Sequence, residues 1–390
     1  MYKVIYFLIC FNIILTQPLH DTISAEFALL GNEYKTYIQL GVRIVMLDIR
    51  QDKNTTEIIK ELYEPSDKSI IHNNSINDNY TVVQDVVTIN EHTSATNPDF
   101  YFIISKPEDE SSSFNRRDAS IGLSFYFNDT NYSLVHTLTK NNIINKNIYT
   151  ISPFNNALYF GKVNEFFYRE YNYIGSCSVE TGNVYWGCQL LSVTYEDNII
   201  NINNNNSFEK KVYANKYFTQ FTSKEKLIRA PPDFYEMIKE SFLKKYFDQH
   251  LCDSYQLFMD PEIIKCKFSI MNELGTFIFK FKEITIKIKG RELFREGVDD
   301  CFLKIRTTLS MDNKWVFGMS ILSEVISSYD YDNKTITLFS NSIEITQNIN
   351  DYLDESIIHI IKLLCIITII SLNIINIGLL MFYCKYLHYS

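Results

Sequence analysis

The sequence predicts an all-β chain with two hydrophobic cores, few short helices and one C-terminal membrane-spanning helix. Most segments between residues 30 and 345 alternate apolar and polar side chains with period two, which is typical of strands with one buried face. Helix signals are few in the same range. The length of 390 residues allows two to three domains, and a composition with 46% hydrophobic residues can fill large cores.

The N-terminus has the pattern of a secretory signal peptide. Lys3 precedes an apolar stretch over residues 4–15, which is long enough for a signal peptide and short for a membrane span. We place the predicted signal peptide over residues 1–25, with Ala25 as a candidate cleavage point. An uncleaved anchor is the alternative.

One segment of the middle region favours a helix and another a strand. Residues Pro232 to Phe247 begin with Pro, carry acidic side chains early and end in lysines, which suits the helix dipole. Residues Phe277 to Gly290 read FIFKFKEITIKIKG and are apolar on one face and charged on the other, which predicts a half-buried strand.

The C-terminal region predicts a single membrane span. Residues 363–383 carry no charge, and a helix of about 20 residues crosses the hydrocarbon core of a bilayer. Lys362 and Lys385 flank the stretch and can reach the two interfaces. The layout is that of a type I membrane protein at the cell surface or in the secretory pathway. Residues 346–362 form its stalk and residues 384–390 its cytoplasmic tail.

Cysteines and glycosylation motifs agree with an oxidising compartment. Five cysteines lie between the two apolar ends, so we expect most of them to form disulfides and one to stay unpaired. Acceptor motifs of the form N-x-S/T are also frequent, and each is a candidate glycosylation site. These motifs begin at Asn54, Asn73, Asn79, Asn128, Asn131, Asn205 and Asn333.

Composition and motifs also argue against several functions. The net charge of −9 argues against a nucleic-acid partner, which would need a basic face. The sequence contains no C-x-x-C or H-E-x-x-H motif, so we expect no metal site. No glycine-rich loop predicts a phosphate-bearing cofactor, and we expect no cofactor.

Several segments stand out together by their order and spacing. They are EYKTYIQLG (33–41), NYTVVQDVVTIN (79–90), DASIGLSF (118–125), LVHTLTKNNIINKNIYTISPFNNALYFGKVN (134–164), VYWGCQLLSV (184–193) and WVFGMSILSEVISSYDYDNKTITLF (315–339). Together they resemble the pepsin-type aspartic proteases over nearly all of the chain between the apolar ends. The resemblance implies an N-terminal β-lobe over residues 26–165, a C-terminal β-lobe over residues 166–345, and a cleft between them.

In that family each lobe supplies one Asp-Thr/Ser-Gly loop, and the two carboxyl groups share a proton to activate water. In the first loop the resemblance places Asp48 at the position of the first catalytic Asp. Ile49 and Arg50 then replace Thr and Gly. Asp48 is expected to be retained without function, and Arg50 to reach solvent or to pair with Asp48 or Asp52.

The second loop departs further from the family pattern. Counting back from Pro231 places Thr222 at the position of the second catalytic Asp. Ser223 then keeps the hydroxyl position, and Lys224 replaces Gly. The alternative that Glu225 serves as a substitute acid stays open.

The resemblance also implies a disulfide between Cys266 and Cys301, which leaves Cys252 unpaired. Cys177 and Cys188 are eleven residues apart and can clasp a hairpin. The expected function is that of a membrane-anchored, inactive aspartic protease homologue acting as a binding or surface protein, with a cleft for an extended peptide. The alternatives are an active aspartic endopeptidase that cleaves secreted or surface polypeptides at acidic pH, and a structural or adhesive glycoprotein.

Overall fold

The computed structural model describes residues 22–30, 33–72, 80–89, 99–105, 119–125, 132–179, 185–196, 211–213, 217–256, 262–297, 299–307 and 314–340. Contacts between residues divide the chain into a unit of residues 1–345 and a second unit of residues 346–390. No residue of the second unit is among those described. No helix within the described ranges is long and apolar enough to cross a membrane. The predicted stalk, the span over residues 363–383 and the tail lie beyond those ranges and stay predictions.

Strands dominate the described part of the chain, as the sequence predicts. In chain order they are β1 (Thr22–Leu30), β2 (Glu33–Leu40), β3 (Arg43–Arg50), β4 (Glu57–Ile59), β5 (Ile70–His72), β6 (Tyr80–Thr88), β7 (Asp99–Ser105), β8 (Ser120–Gly122), β9 (Ile148–Ser152), β10 (Ala157–Gly161), β11 (Asn172–Ser178), β12 (Gly187–Glu196), β13 (Lys211–Tyr213), β14 (Tyr217–Phe221), β15 (Ile228–Ala230), β16 (Cys252–Tyr255), β17 (Ile263–Lys267), β18 (Thr276–Phe281), β19 (Thr285–Lys289), β20 (Phe294–Glu296), β21 (Asp300–Leu303), β22 (Ile305–Thr307), β23 (Trp315–Phe317), β24 (Val325–Asp330) and β25 (Thr335–Ser340).

The described helices are short. They are α1 (Leu134–Lys140), α2 (Glu165–Glu170), α3 (Pro232–Met237), α4 (Lys244–Asp248) and α5 (Met319–Leu322). The helix predicted from Pro232 is confirmed as α3, a π-helical turn over Ile238–Phe242 and then α4. Pro232 opens the first turn, where its missing N–H costs no hydrogen bond.

Three sheets hold the strands together. The first has the order β11-β25-β24-β9-β10-β1-β2-β3-β8-β4-β7-β6-β5. The second has the order β19-β18-β12-β14-β23-β15-β22, with β13 beside β12, and the third has the order β16-β17-β21-β20. The order β3-β8-β4-β7 in the first sheet repeats as β14-β23-β15-β22 in the second. This internal repeat relates the two halves of the fold to each other.

The alternating segment predicted over Phe277 to Gly290 forms strands, as expected, but it forms two of them. β18 and β19 pair as an antiparallel hairpin in which Phe277 faces Ile288 and Phe279 faces Ile286. These four side chains are buried and the intervening lysines point outward. The buried positions are odd-numbered in β18 and even-numbered in β19, so the phase of the alternation shifts at Lys282 and Glu283, where the turn lies.

The start of β1 lies within the predicted signal peptide over residues 1–25. Thr22 to Glu26 pair with β10, and Ile23 and Ala25 are buried in the core. A cut after Ala25 would remove Thr22 to Ala25 from a paired strand, so the candidate cleavage point at Ala25 does not suit the fold, and the signal peptide itself stays a prediction. Residues 1–21 themselves are not among those described.

The cysteines pair differently from the expectation in one place. Cys177 and Cys188 are bonded as expected, but the second disulfide joins Cys252 to Cys266, and Cys301 is a buried free thiol. Cys266 on β17 faces Cys252 on β16 on one side and Cys301 on β21 on the other. One sulfur can bond only one of these neighbours, so the predicted pair Cys266–Cys301 and the predicted free Cys252 are both wrong here.

Two of the seven candidate glycosylation residues lie in the described part. Asn333 is exposed in the turn after β24, where its side-chain nitrogen donates to Asp330 at 2.7 Å. Asn54 is half-buried in the turn after β3. The other five fall outside the described ranges, and all seven stay predictions.

Candidate functional site

Two loops with the same surroundings follow β3 and β14. β3 runs parallel to β8, which ends at Gly122, and β14 runs parallel to β23, which is followed by Gly318. A Cβ atom on Gly122 would lie 2.5 Å from the carbonyl oxygen of Thr55, and one on Gly318 would lie 2.2 Å from that of Glu225. Both glycines are therefore required, because each lets a loop close against its neighbouring strand.

The pairing register shows which residues of the two loops correspond. Arg50 pairs with Gly122, whereas in the second half Phe221 pairs with Phe317, so Thr222 lies beside Gly318. The N–H of Thr222 also donates to the carbonyl oxygen of Phe317 at 3.1 Å. Arg50 is thus the internal counterpart of Thr222.

The two residues after Arg50 follow the same correspondence, so Gln51 matches Ser223 and Asp52 matches Lys224. The sequence resemblance instead predicts Asp48 as the counterpart of Thr222, two residues earlier than Arg50. Asp48 is the aspartate that the sequence offers near this position, whereas the parallel pairing of β3 with β8 fixes the position by backbone hydrogen bonds. The two residues that follow Arg50 are Gln51 and Asp52, so no Thr-Gly pair in the sequence marks the shift.

Asp48 lies within β3 and is neutralised by a neighbouring strand. It faces Lys35 of β2 across the antiparallel ladder, and Oδ1 of Asp48 lies 2.5 Å from Nζ of Lys35. Both side chains are 13% exposed. Asp48 is therefore one half of a largely buried ion pair.

Asp52 joins the two loops through two cations. Arg50 donates Nε and Nη2 to the two oxygens of Asp52 at 2.8 and 2.9 Å, and Nζ of Lys224 lies 3.4 Å from Oδ2 of Asp52. Burial alone would raise the pKa of Asp52, but the hydrogen bonds and charge of Arg50 and the charge of Lys224 outweigh burial and lower it. Of the two outcomes expected for Arg50, solvent or an aspartate, the structure shows the pair with Asp52.

Ser223 ties the second loop to the first. Its hydroxyl donates to the carbonyl oxygen of Ile49, and its N–H donates to Oε1 of Gln51 at 2.8 Å. Gln51, Thr222 and Ser223 are all buried. These bonds hold the backbones of the two loops together where the two halves of the fold meet.

Buried aromatic side chains hold the turn that follows β8, next to the first loop. Trp186 and Tyr149 both donate to the carbonyl oxygen of Leu123, at 2.8 and 3.1 Å. Trp186 also packs edge-on against Tyr329 with ring centroids 5.1 Å apart. The turn that follows Gly122 is therefore fixed from both halves of the chain.

The chemistry of the two corresponding positions follows from their side chains. Arg50 carries a permanent cation and Thr222 a hydroxyl that accepts from the N–H of Lys224 at 3.3 Å, so the two cannot share a proton. Glu225, the alternative acid, is paired with Arg229 at 3.0 Å. The described residues contain no group of three His, Cys, Asp or Glu side chains that could hold a metal ion.

Comparisons with known proteins agree with this architecture. The crystal structure of aspartic proteinase from Irpex lacteus superimposes with a TM-score of 0.61 at 13% identity, over 83% of this chain and all of that one. At that identity the likeness shows the mainly β, pepsin-like fold. A search of curated proteins finds no match. The family model for eukaryotic aspartyl protease matches residues 69–340, which is more than half of the chain. The chain therefore belongs to the eukaryotic aspartyl protease family.

Proposed function

We propose that this protein is a membrane-anchored, catalytically inactive aspartic protease homologue that binds an extended peptide in the secretory pathway or at the cell surface. One observation carries the loss of catalysis: the positions that correspond across the two loops hold Arg50 and Thr222. Water activation in this family needs two carboxyl groups that share a proton. Neither residue can take part in that exchange.

The remaining carboxylates of the first loop do not replace the pair. Asp48 is bound to Lys35 and Asp52 to Arg50 and Lys224, so each aspartate is held as an anion by a cation. Both belong to the first half of the fold, whereas the family mechanism uses one carboxylate from each half. Three cations face these two aspartates, so neither aspartate is poised to donate a proton.

The strand face beside the loops supports peptide binding. Tyr37, Ile44 and Met46 are 37%, 63% and 42% exposed on the same face of β2 and β3 as Asp48. An extended peptide binds by backbone hydrogen bonds and by side-chain contacts at every second residue, and it needs no catalytic acid for this. An open apolar strip that leads to the charged loops suits such a ligand.

The compartment is proposed from the sequence and the disulfides. The two disulfides fit an oxidising environment. The uncharged stretch over residues 363–383 and the seven glycosylation motifs support a type I anchor and a lumenal or extracellular location for the rest of the chain. Fractionation with carbonate extraction and glycosidase treatment tests both points.

The rival function is an active aspartic endopeptidase, which family membership favours. The full-length chain is incubated with a fluorogenic peptide library from pH 3 to 7, with and without pepstatin, alongside Asp48→Asn and Asp52→Asn variants. We expect no pepstatin-sensitive cleavage. Pepstatin-sensitive cleavage that either variant abolishes would overturn the proposed loss of catalysis.

The other rival is a structural or adhesive glycoprotein. Binding of the full-length chain to an array of decapeptides separates this rival from the proposal. We expect sequence-dependent binding in the micromolar range. Absence of binding to the whole array, together with glycans mapped at Asn73 and Asn79, would favour the structural role.

A further inference from the structure

Two arginines lie side by side next to the second loop. Arg229 of β15 and Arg306 of β22 are direct neighbours in a parallel ladder, so their side chains project from the same face of the sheet. Arg306 is only 9% exposed, whereas Arg229 is half-buried and reaches solvent. The pair thus joins a buried guanidinium to an accessible one.

The positive charge of the pair exceeds the negative charge around it. Among the described residues, Glu225 alone lies within ion-pair distance of either guanidinium, with Oε2 at 3.0 Å from Nε of Arg229. The Nη1 atoms of both arginines are buried and have no hydrogen-bond partner. Buried N–H donors without a hydrogen-bond partner cost free energy that an oxygen-bearing anion would recover.

The electrostatics of Arg306 agree with this excess. Burial lowers the pKa of Arg306; Tyr235 and Tyr255 raise it, the charge of Arg229 lowers it again, and a hydrogen bond with Tyr235 raises it further. The hydroxyl of Tyr235 already donates to the carbonyl oxygen of Glu262 at 3.0 Å. The phenol therefore does not supply the negative charge that the arginines lack.

The internal repeat shows that the fold does not require this second cation. In the first sheet β4 takes the place of β15 and β7 that of β22. In that ladder Glu57 pairs with Ile103, as Arg229 pairs with Arg306 in the second sheet. The charge of Glu57 is balanced by Lys53 at 2.5 Å, and its ladder neighbour Ile103 is apolar. The uncompensated cation is a property of the second half alone.

We propose that Arg229 and Arg306 form a subsite for a carboxylate, which in the proposed function is an Asp or Glu side chain of the bound peptide. The inference rests on that function for the source of the carboxylate. Guanidinium groups present paired N–H donors that match the two oxygens of a carboxylate. The subsite adjoins the loop over residues 222–227, so an occupant would be held next to the centre of the proposed cleft.

The test compares peptides that differ in one charge. Decapeptides with a single Glu scanned through every position, and the same set with Gln, are bound to the full-length chain and measured by fluorescence anisotropy. At one position we expect Glu to bind about tenfold tighter than Gln, as a charge-assisted hydrogen-bond pair allows. Arg306→Met should abolish this preference without lowering the melting temperature. Arg295→Met, at an exposed position on β20, is the matched control and should keep it.

A second arm separates the subsite from the proposed function. Sodium glutarate should raise the melting temperature of the natural chain and of Arg295→Met, but not that of Arg306→Met. If no decapeptide binds while glutarate still acts through Arg306, peptide binding fails and the carboxylate subsite stands. Equal affinity for Glu and Gln peptides at every position, or equal glutarate effects on Arg306→Met and the natural chain, overturns the subsite.

Discussion

The ion pairs around Asp52 predict a measurable and pH-dependent contribution to stability. Asp52→Asn keeps the side-chain volume but removes the charge that binds Arg50 and Lys224. Removal of one partner of a fully buried pair costs about 3–5 kcal/mol, and exposed pairs contribute about 0–1 kcal/mol. Asp52 is 14% and Arg50 23% exposed, so the expected loss in free energy of unfolding lies between these limits, at about 2 kcal/mol.

The sign of the pH dependence follows from the lowered pKa of Asp52. The carboxyl group is more acidic in the folded chain than in the unfolded one, so its contribution is fully present above the unfolded value of about 3.9. The contribution is lost as pH falls through the lower folded value. The stability gap between the natural chain and Asp52→Asn should therefore be constant from pH 5 to 7 and narrow below about pH 4.

Thermal unfolding followed by circular dichroism measures this gap. A loss of about 2 kcal/mol corresponds to a fall of about 2–3 °C in melting temperature for a chain of this size. Asp248→Asn, which removes an exposed partner of Lys244, is the matched control and should change little. A gap below about 0.5 kcal/mol at pH 7, or a gap that does not narrow in acid, would refute the ion-pair reasoning.

Three further predictions concern the loops and the cysteines. Ser223→Ala removes a hydrogen bond between the two halves and should cost about 1–2 kcal/mol in chemical unfolding; an unchanged midpoint would contradict that role. Gly318→Ala forces a Cβ atom against a backbone carbonyl and should cost about 1–3 kcal/mol or prevent folding; a fully stable variant would contradict the close approach. Peptide mapping without reduction should link Cys252 to Cys266 and find Cys301 alkylated only after unfolding, and a Cys266–Cys301 peptide would contradict this pairing.

Much of the architecture could be predicted from local patterns in the sequence. The family was identified from the order of several weak segments, because each segment alone is short but their spacing is restrictive. The strand structure of Thr276–Phe281 and Thr285–Lys289 follows from period-two alternation, although that pattern predicts one strand rather than two, and the helix at Pro232 follows from its capping pattern. Such signals are local, so they survive in a single sequence.

The details of the site could not be predicted because they depend on pairing between distant segments. The sequence offers Asp48 as the natural match to a catalytic aspartate, but the ladder between β3 and β8 places Arg50 beside Gly122. In the same way, spacing cannot choose a partner for Cys266, because two other cysteines face it from adjacent strands. In both cases the deciding fact is a strand register, which a single chain does not display.

The register can itself be tested by rebuilding the carboxyl pair in two ways. The first variant follows the sequence alignment: it keeps Asp48 and adds Thr222→Asp, Arg50→Gly and Lys224→Gly. The second follows the structure and combines Arg50→Asp, Asp52→Gly, Thr222→Asp and Lys224→Gly. Only the second puts carboxyl groups at corresponding positions, since Asp48 lies two residues, or about 7 Å, further back along its strand.

Two carboxyl groups that share a proton raise the pKa of one of them above its usual range. A group with a raised folded pKa binds protons more tightly in the folded chain, so the second variant should gain stability as pH falls from 7 to 5. The gain is about 1.4 kcal/mol for every tenfold difference in proton affinity between the folded and unfolded chains. The first variant should show no such gain over this range. Melting temperatures measured against pH distinguish the two without requiring restored activity. A gain in the first variant alone would return Asp48 to the dyad position and reverse the assignment of Arg50.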